Sequence, residues 1–195
     1  MIINYFGNDC FRLQSGDISL LADPENNRLK ADITLKTLVP TEDGEWKMEN
    51  GTNDTMLITF PGEYESKEIE IEGFPIAEES TEKFLKTAYR VAWEDMKIVF
   101  LGHLSRPIDA TLMEEFADAD ILFLPIAGGH FLEPEVAAKI AKQLEARIII
   151  PSFGSDKPDA FLKALGKKAE DMEKFVFKQK DIVAEKGKVV ILKQG

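Results

Sequence analysis

The chain has 195 residues, 44% hydrophobic and 30% charged, with a formal net charge of −11. That length and apolar content can bury a core without disulfides or a structural metal, in one domain expected to span residues 1–195. The negative charge argues against nucleic acid as a general partner, because phosphate backbones are bound by Lys/Arg surfaces, and the single cysteine, Cys10, excludes an internal disulfide.

A lone cysteine fits a reducing compartment. The opening MIINYFGNDCFRL alternates like a strand and lacks the basic start and apolar run of a signal peptide. No apolar stretch approaches the ~20 residues that cross a bilayer, so a cytoplasmic protein without membrane contact is expected.

The first hundred residues read as short strands. Ile2–Phe6, Cys10–Leu13 and Ile18–Ala22 are separated by Gly7-Asn8-Asp9 and Ser15-Gly16-Asp17, both good turn chemistry, and Asp23-Pro24 stops the third. Residues 25–53 carry a possible strand at Ile33–Leu38 and then polar residues around Gly44 and Gly51. Met56–Phe60 is apolar and closes on Pro61-Gly62; Glu68–Glu72 alternates strictly, with isoleucines inward and glutamates in water. Thr87–Trp93 and Lys97–Leu101 form a hairpin around Glu94-Asp95.

From Gly102 the rhythm becomes strand–helix alternation. Ile108–Ala117 has helical spacing, with Ile108, Leu112 and Phe116 on one face. Ile121–Leu124 is a buried-type strand; Pro134–Leu144 is a helix with proline in its first turn and Val136, Ile140 and Leu144 on one face. Arg147–Ile150 is a strand, Pro158–Leu165 a helix stopped by Gly166, and Phe175–Phe177 and Val189–Leu192 are final strands at an edge.

Four stretches, in order, resemble the metallo-β-lactamase fold, in particular its small lactonase-like branch. They are FGNDCFRL with ISLLADP, then FPGEYESKEIEIEGFPI (Phe60–Ile76), MKIVFLGHL (Met96–Leu104), and ADILFLPIAGGHFLEPEVAAKIAKQLEARIIIPSFG (Ala119–Gly154). The resemblance implies a four-layer αββα sandwich, two mixed sheets face to face with helices outside. It also implies a hydrolytic site with one or two metals, held by a His-x-His-x-Asp-His loop, further histidines and a bridging aspartate.

The sequence departs from that ligand set. It has two histidines, His103 and His130, and none between Ala31 and Ile58 where the loop should fall. His103 stands where the bridging aspartate would follow Gly102, Ser152 and Phe153 where a histidine would follow Pro151, and Ala77 and Glu78 at the place of another. Two metals clamping one water need more imidazole and carboxylate than this. The resemblance and its departures therefore imply a degenerate, metal-free site, with no cofactor expected.

Residues expected near the pocket edge are Asp23, Glu63, Tyr64, His103, Gly128, Gly129, His130 and Ser152. The alternative is a divergent hydrolase with one Zn or Mn on His103, His130 and Asp23, since two imidazoles and a carboxylate suffice for one ion. Gly128-Gly129 reads as a tight turn rather than an anion cradle, because Glu133 and Pro134 disfavour an anion there. Glu63 is a further candidate carboxylate for that single ion, and Tyr64 reads as either a packing residue or part of the pocket wall. Cys10 reads as a small buried hydrophobe, since Asp9 beside it would raise its pKa. The expected partner is a small molecule or another protein, with homo-oligomers as a third possibility.

Overall fold

The computed structural model describes residues 1–26, 28–40, 55–153 and 158–195. The polar stretch around Gly44 and Gly51, and part of the segment where a histidine-rich loop would fall, lie outside these residues. The first sheet begins with β1 (Ile2–Tyr5), β2 (Phe11–Ser15) and β3 (Ile18–Ala22), an antiparallel meander. β4 (Ile33–Leu35) and β6 (Met56–Ile58) add to it in parallel, and β14 (Phe175–Val176) closes its other edge beside β1.

Between β4 and β5 (Leu38–Pro40) the chain steps from the first sheet to the second. Lys36 N–H still donates to Ile58 of the first sheet at 2.9 Å, whereas Thr37 C=O already accepts from Thr87 N–H of the second, also at 2.9 Å. One extended reading over Ile33–Leu38 therefore becomes two short strands in different sheets, because two polar residues bridge the gap between layers.

The second sheet is antiparallel through β7 (Gly62–Ser66), β8 (Ile69–Pro75), β9 (Phe84–Trp93) and β10 (Met96–Phe100), with β5 paired to the start of β9. It continues in parallel through β11 (Ile121–Pro125), β12 (Ile148–Ser152), β15 (Lys188–Leu192) and β13 (Ala169–Met172). The helices are α1 (Ala110–Phe116), α2 (Pro134–Leu144), α3 (Asp159–Leu165) and the short α4 (Gln179–Ile182). The final strand is thus internal rather than at an edge: β13, whose Ala-Glu-Asp-Met sequence carries no alternation signal, covers it.

Alternation assigns each face. Ile69 and Ile71 point into the space between the sheets with Ile3, Leu13, Leu20 and Ile33 opposite, as the Glu68–Glu72 pattern predicts. In β11 every residue is buried: Ile121 and Phe123 face the first sheet, while Leu122 and Leu124 face α1, α2 and α3. Burial on both faces is why central parallel strands read as unbroken apolar runs. Phe123 stacks on Phe100 with ring centroids 4.5 Å apart and meets Phe11 at 4.6 Å, which ties the two sheets together. Two mixed sheets face to face with helices outside is the expected sandwich, and α1 to α3 all lie over the second sheet.

The β9–β10 hairpin turns at Glu94 and Asp95, both with positive φ (54° and 57°). Such a turn favours glycine at its second position. Asp95→Gly is expected to stabilise the protein by about 0.5 kcal/mol, read as a raised urea midpoint at unchanged slope.

Candidate active-site edge

The C-terminal ends of the parallel strands meet at one edge of the sandwich, and the sequence puts polar residues just past them. Asp23 follows β3, Thr37 lies at the crossing after β4, His103 follows β10, and Ser152 ends β12. Chain direction alone therefore brings distant residues together.

Asp23 is buried, with a left-handed backbone (φ 44°) that turns its carboxylate inward. Thr37 donates to it twice: its N–H to Oδ1 at 2.7 Å and its hydroxyl to Oδ2 at 2.6 Å. The same hydroxyl lies 2.8 Å from His103 Nδ1, and Asp23 Oδ2 is 3.9 Å from that nitrogen. Burial raises the Asp23 pKa, opposed by His103 and by the Thr37 bonds. Burial lowers that of His103, against the pull of Asp23, so the ring is neutral at pH 7. Phe131 flanks the ring at 5.5 Å, and 23% of the His103 side chain is exposed.

Gly102 makes this geometry possible. Its φ is +51°, and a Cβ there would come within 2.5 Å of Thr37 Cγ2 and nearer still to Thr37 Cβ and Oγ1. Only a residue without a side chain lets Thr37 reach between Asp23 and His103.

A second buried acid sits at the same edge. Asp9, also left-handed (φ 62°), accepts from the Ser152 hydroxyl, joining the β1–β2 turn to the end of β12. Burial, with a smaller push from Asp23, lifts the Asp9 pKa to about 7 against the Ser152 bond. The Tyr5 hydroxyl donates to Phe153 C=O at 2.9 Å beside it. Near His103, Glu79 accepts from Lys86 at 2.6 Å and from Ser105 and Arg106 N–H, which pins the loop after β10. Burial would raise the Glu79 carboxyl, but these donors outweigh it and hold it low.

Of the residues expected at the pocket edge, Asp23, His103 and Ser152 lie there. His130 is exposed in the turn before α2. Gly128 and Gly129 have positive φ (69° and 65°) and form a tight turn, Gly128 N–H donating to Leu132 C=O at 3.0 Å. Glu133 accepts from Gly129 N–H at 3.3 Å, so its carboxylate closes the turn before α2 and makes no cap bond to the helix itself. Tyr64 packs against the core and donates to Phe60 C=O at 3.0 Å. Glu63 is exposed on the edge strand β7, lining an open groove of about 480 Å³ with Glu65, Glu72 and Arg90, a groove that neither Asp23 nor His103 lines. Cys10 is buried, its pKa pushed up to about 12 by burial and then by Asp23 rather than by Asp9. Thr37 and Asp9 carried no signal in the sequence beyond their neighbours, a crossing and a turn.

A metal at this edge needs three or four converging donors. Among the described residues no three His, Cys, Asp or Glu side chains converge to hold one. Both oxygens of Asp23 already accept from Thr37, and His103 Nδ1 faces the same hydroxyl. The described donor set does not fit a metal.

Residues 2–152 match the pattern of the beta-lactamase superfamily domain. A UPF0173 metal-dependent hydrolase of Listeria monocytogenes is 31% identical over 102 residues, 52% of this chain; the match spans 40% of that relative's length. A metallo-beta-lactamase superfamily protein of Thermotoga maritima superposes with a TM-score of 0.77 at 22% identity, over 98% of this chain and 97% of that one. A metallo-beta-lactamase fold protein of Bacillus subtilis gives 0.64 at 14% identity, over 100% and 95%. At these identities the structural likenesses speak to fold alone.

Proposed function

The chain belongs to the beta-lactamase superfamily, and from that premise we propose that it is a member without the dinuclear metal site, retained as a binding or interaction module. The observation that carries this reading is the Asp23–Thr37–His103 cluster, in which the acid and the imidazole at the edge are bonded to a threonine rather than left open to an ion. A total of two histidines supports it. The ligand would be a small molecule or a protein that meets this edge; the acidic surface disfavours nucleic acid, and the single cysteine suits a cytoplasmic setting. Among the described residues no helix is long and apolar enough to cross a membrane.

A one-metal hydrolase is favoured by a different observation, the metal-dependent hydrolase name of the Listeria relative. It requires the exposed His130 to swing toward His103 and Asp23 to exchange Thr37 for the ion. Elemental analysis of the purified protein after growth with zinc, manganese and iron separates the two. The expected result is metal at background, unchanged in His103→Ala/His130→Ala; about one ion per chain, lost in that double variant, would establish the hydrolase reading instead.

A further inference from the structure

The second sheet ends at β7, and among the described residues no strand pairs with its outer side. The β7–β8 hairpin closes on Ser66 and Ile69 through a two-residue turn, Lys67 and Glu68, both with positive φ (52° and 61°). The closing pair of such a hairpin is hydrogen-bonded, so the alternate residues Glu63 and Glu65 turn their N–H and C=O groups away from β8. The edge therefore presents main-chain donors and acceptors at the spacing an added strand needs.

Side chains on the outer face select the kind of strand. Glu63 stands opposite Glu72 and Glu65 opposite Glu70, both at non-hydrogen-bonded positions, where side chains come closest. Like charges directly opposed destabilise a sheet. Arg90 bonds Glu72 and Glu115, but among the described residues no ion pair relieves Glu63, Glu65 or Glu70, all three exposed. Charges on β7 alone would keep the edge from pairing with other chains. The second rank on β8 lies one strand inside and guards no edge, so edge protection does not account for it. On the inner face, half-buried Tyr64 packs against the core between the sheets.

We propose that the free edge of β7 binds a basic, extended segment of another protein as an added strand. Its arginines or lysines face Glu63 and Glu65, and an apolar residue between them lies beside Tyr64. Residues two apart on a strand stand about 7 Å apart on one face, so the recognised pattern is basic–apolar–basic. A second copy of this chain does not fit, because its own β7 would set further glutamates against these. Neither Asp23 nor His103 lines this groove, so binding here is independent of whether the other edge holds a metal.

The test uses the full chain and a fluorescein-labelled peptide, Gly-Arg-Val-Arg-Val-Arg-Gly, followed by fluorescence anisotropy. Binding is expected, weakening as salt is raised, and lost when glutamines replace the arginines. Glu63→Gln/Glu65→Gln is expected to weaken it about tenfold. Glu114→Gln/Glu135→Gln, which removes the same charge from exposed sites on α1 and α2, is expected to change it less than about twofold. In amide exchange read by NMR, Glu63 and Glu65 should exchange freely in the protein alone and about 100-fold more slowly at saturating peptide. No binding, equal weakening in the two double variants, or Glu63 and Glu65 amides left unprotected with peptide bound overturns the added strand. Amides already protected without peptide overturn it too, and a dimer by light scattering then assigns the edge to a second copy.

Discussion

Gly102→Ala is expected to destabilise the protein by about 3 kcal/mol, the sum of roughly 1–2 for a left-handed non-glycine residue and 1–3 for overpacking. Both costs are present at this position. The backbone is at φ +51°, and the added carbon would collide with Thr37, which is buried and bonded on three sides and cannot withdraw. For a chain of this size the loss corresponds to a melting temperature lower by about 10 °C. Gly129→Ala is the matched control, since that glycine also has positive φ (65°) but a Cβ there meets nothing within 4 Å. It should cost about 1 kcal/mol, the conformational part alone. Equal losses in the two variants would show that Thr37 does not crowd Gly102. The larger loss at Gly102 would establish that the edge is built around the threonine.

Local patterns in the sequence specify a residue's face within one element, not its partners across elements. The faces of α1 and α2, the isoleucines of β8 and the β9–β10 hairpin were legible because one periodicity specifies one buried face. Position at the edge was legible for Asp23, His103 and Ser152, because each follows an apolar run that ends at the same side of a sheet. Thr37 was not, since its place comes from the chain changing sheets, and a crossing of two residues has no pattern. Nor was the partnership of Asp9 with Ser152, 143 positions apart. β13 and α4 escaped for a simpler reason: four residues each, largely polar, they are held by neighbours rather than by their own propensity.

Asp9→Asn is expected to stabilise the protein at pH 8 and to leave it unchanged near pH 4. The ordinary carboxyl value is 3.8, and burial lifts it to about 7 in the folded state. Between those values the folded protein binds more protons at Asp9 than the unfolded chain does, so the stability contributed by this group is full below about 4 and falls as pH rises to about 7. At about 1.4 kcal/mol per unit, the loss above pH 7 is on the order of 4 kcal/mol as an upper bound, reduced by any relaxation that admits water to the carboxylate. Asparagine keeps an oxygen to accept from Ser152 and cannot ionise, so the variant escapes the loss. Urea denaturation of both proteins from pH 4 to pH 9 should give curves that coincide at the acid end, diverge through the window and run parallel above it. Curves parallel throughout would mean that Asp9 ionises at its ordinary value and that the Ser152 hydroxyl, with whatever solvent reaches the edge, solvates the charge. In the expected case the superfamily member holds at this edge one acid that burial keeps protonated into the neutral range, beside a second, Asp23, bonded to Thr37 with His103 on the same hydroxyl.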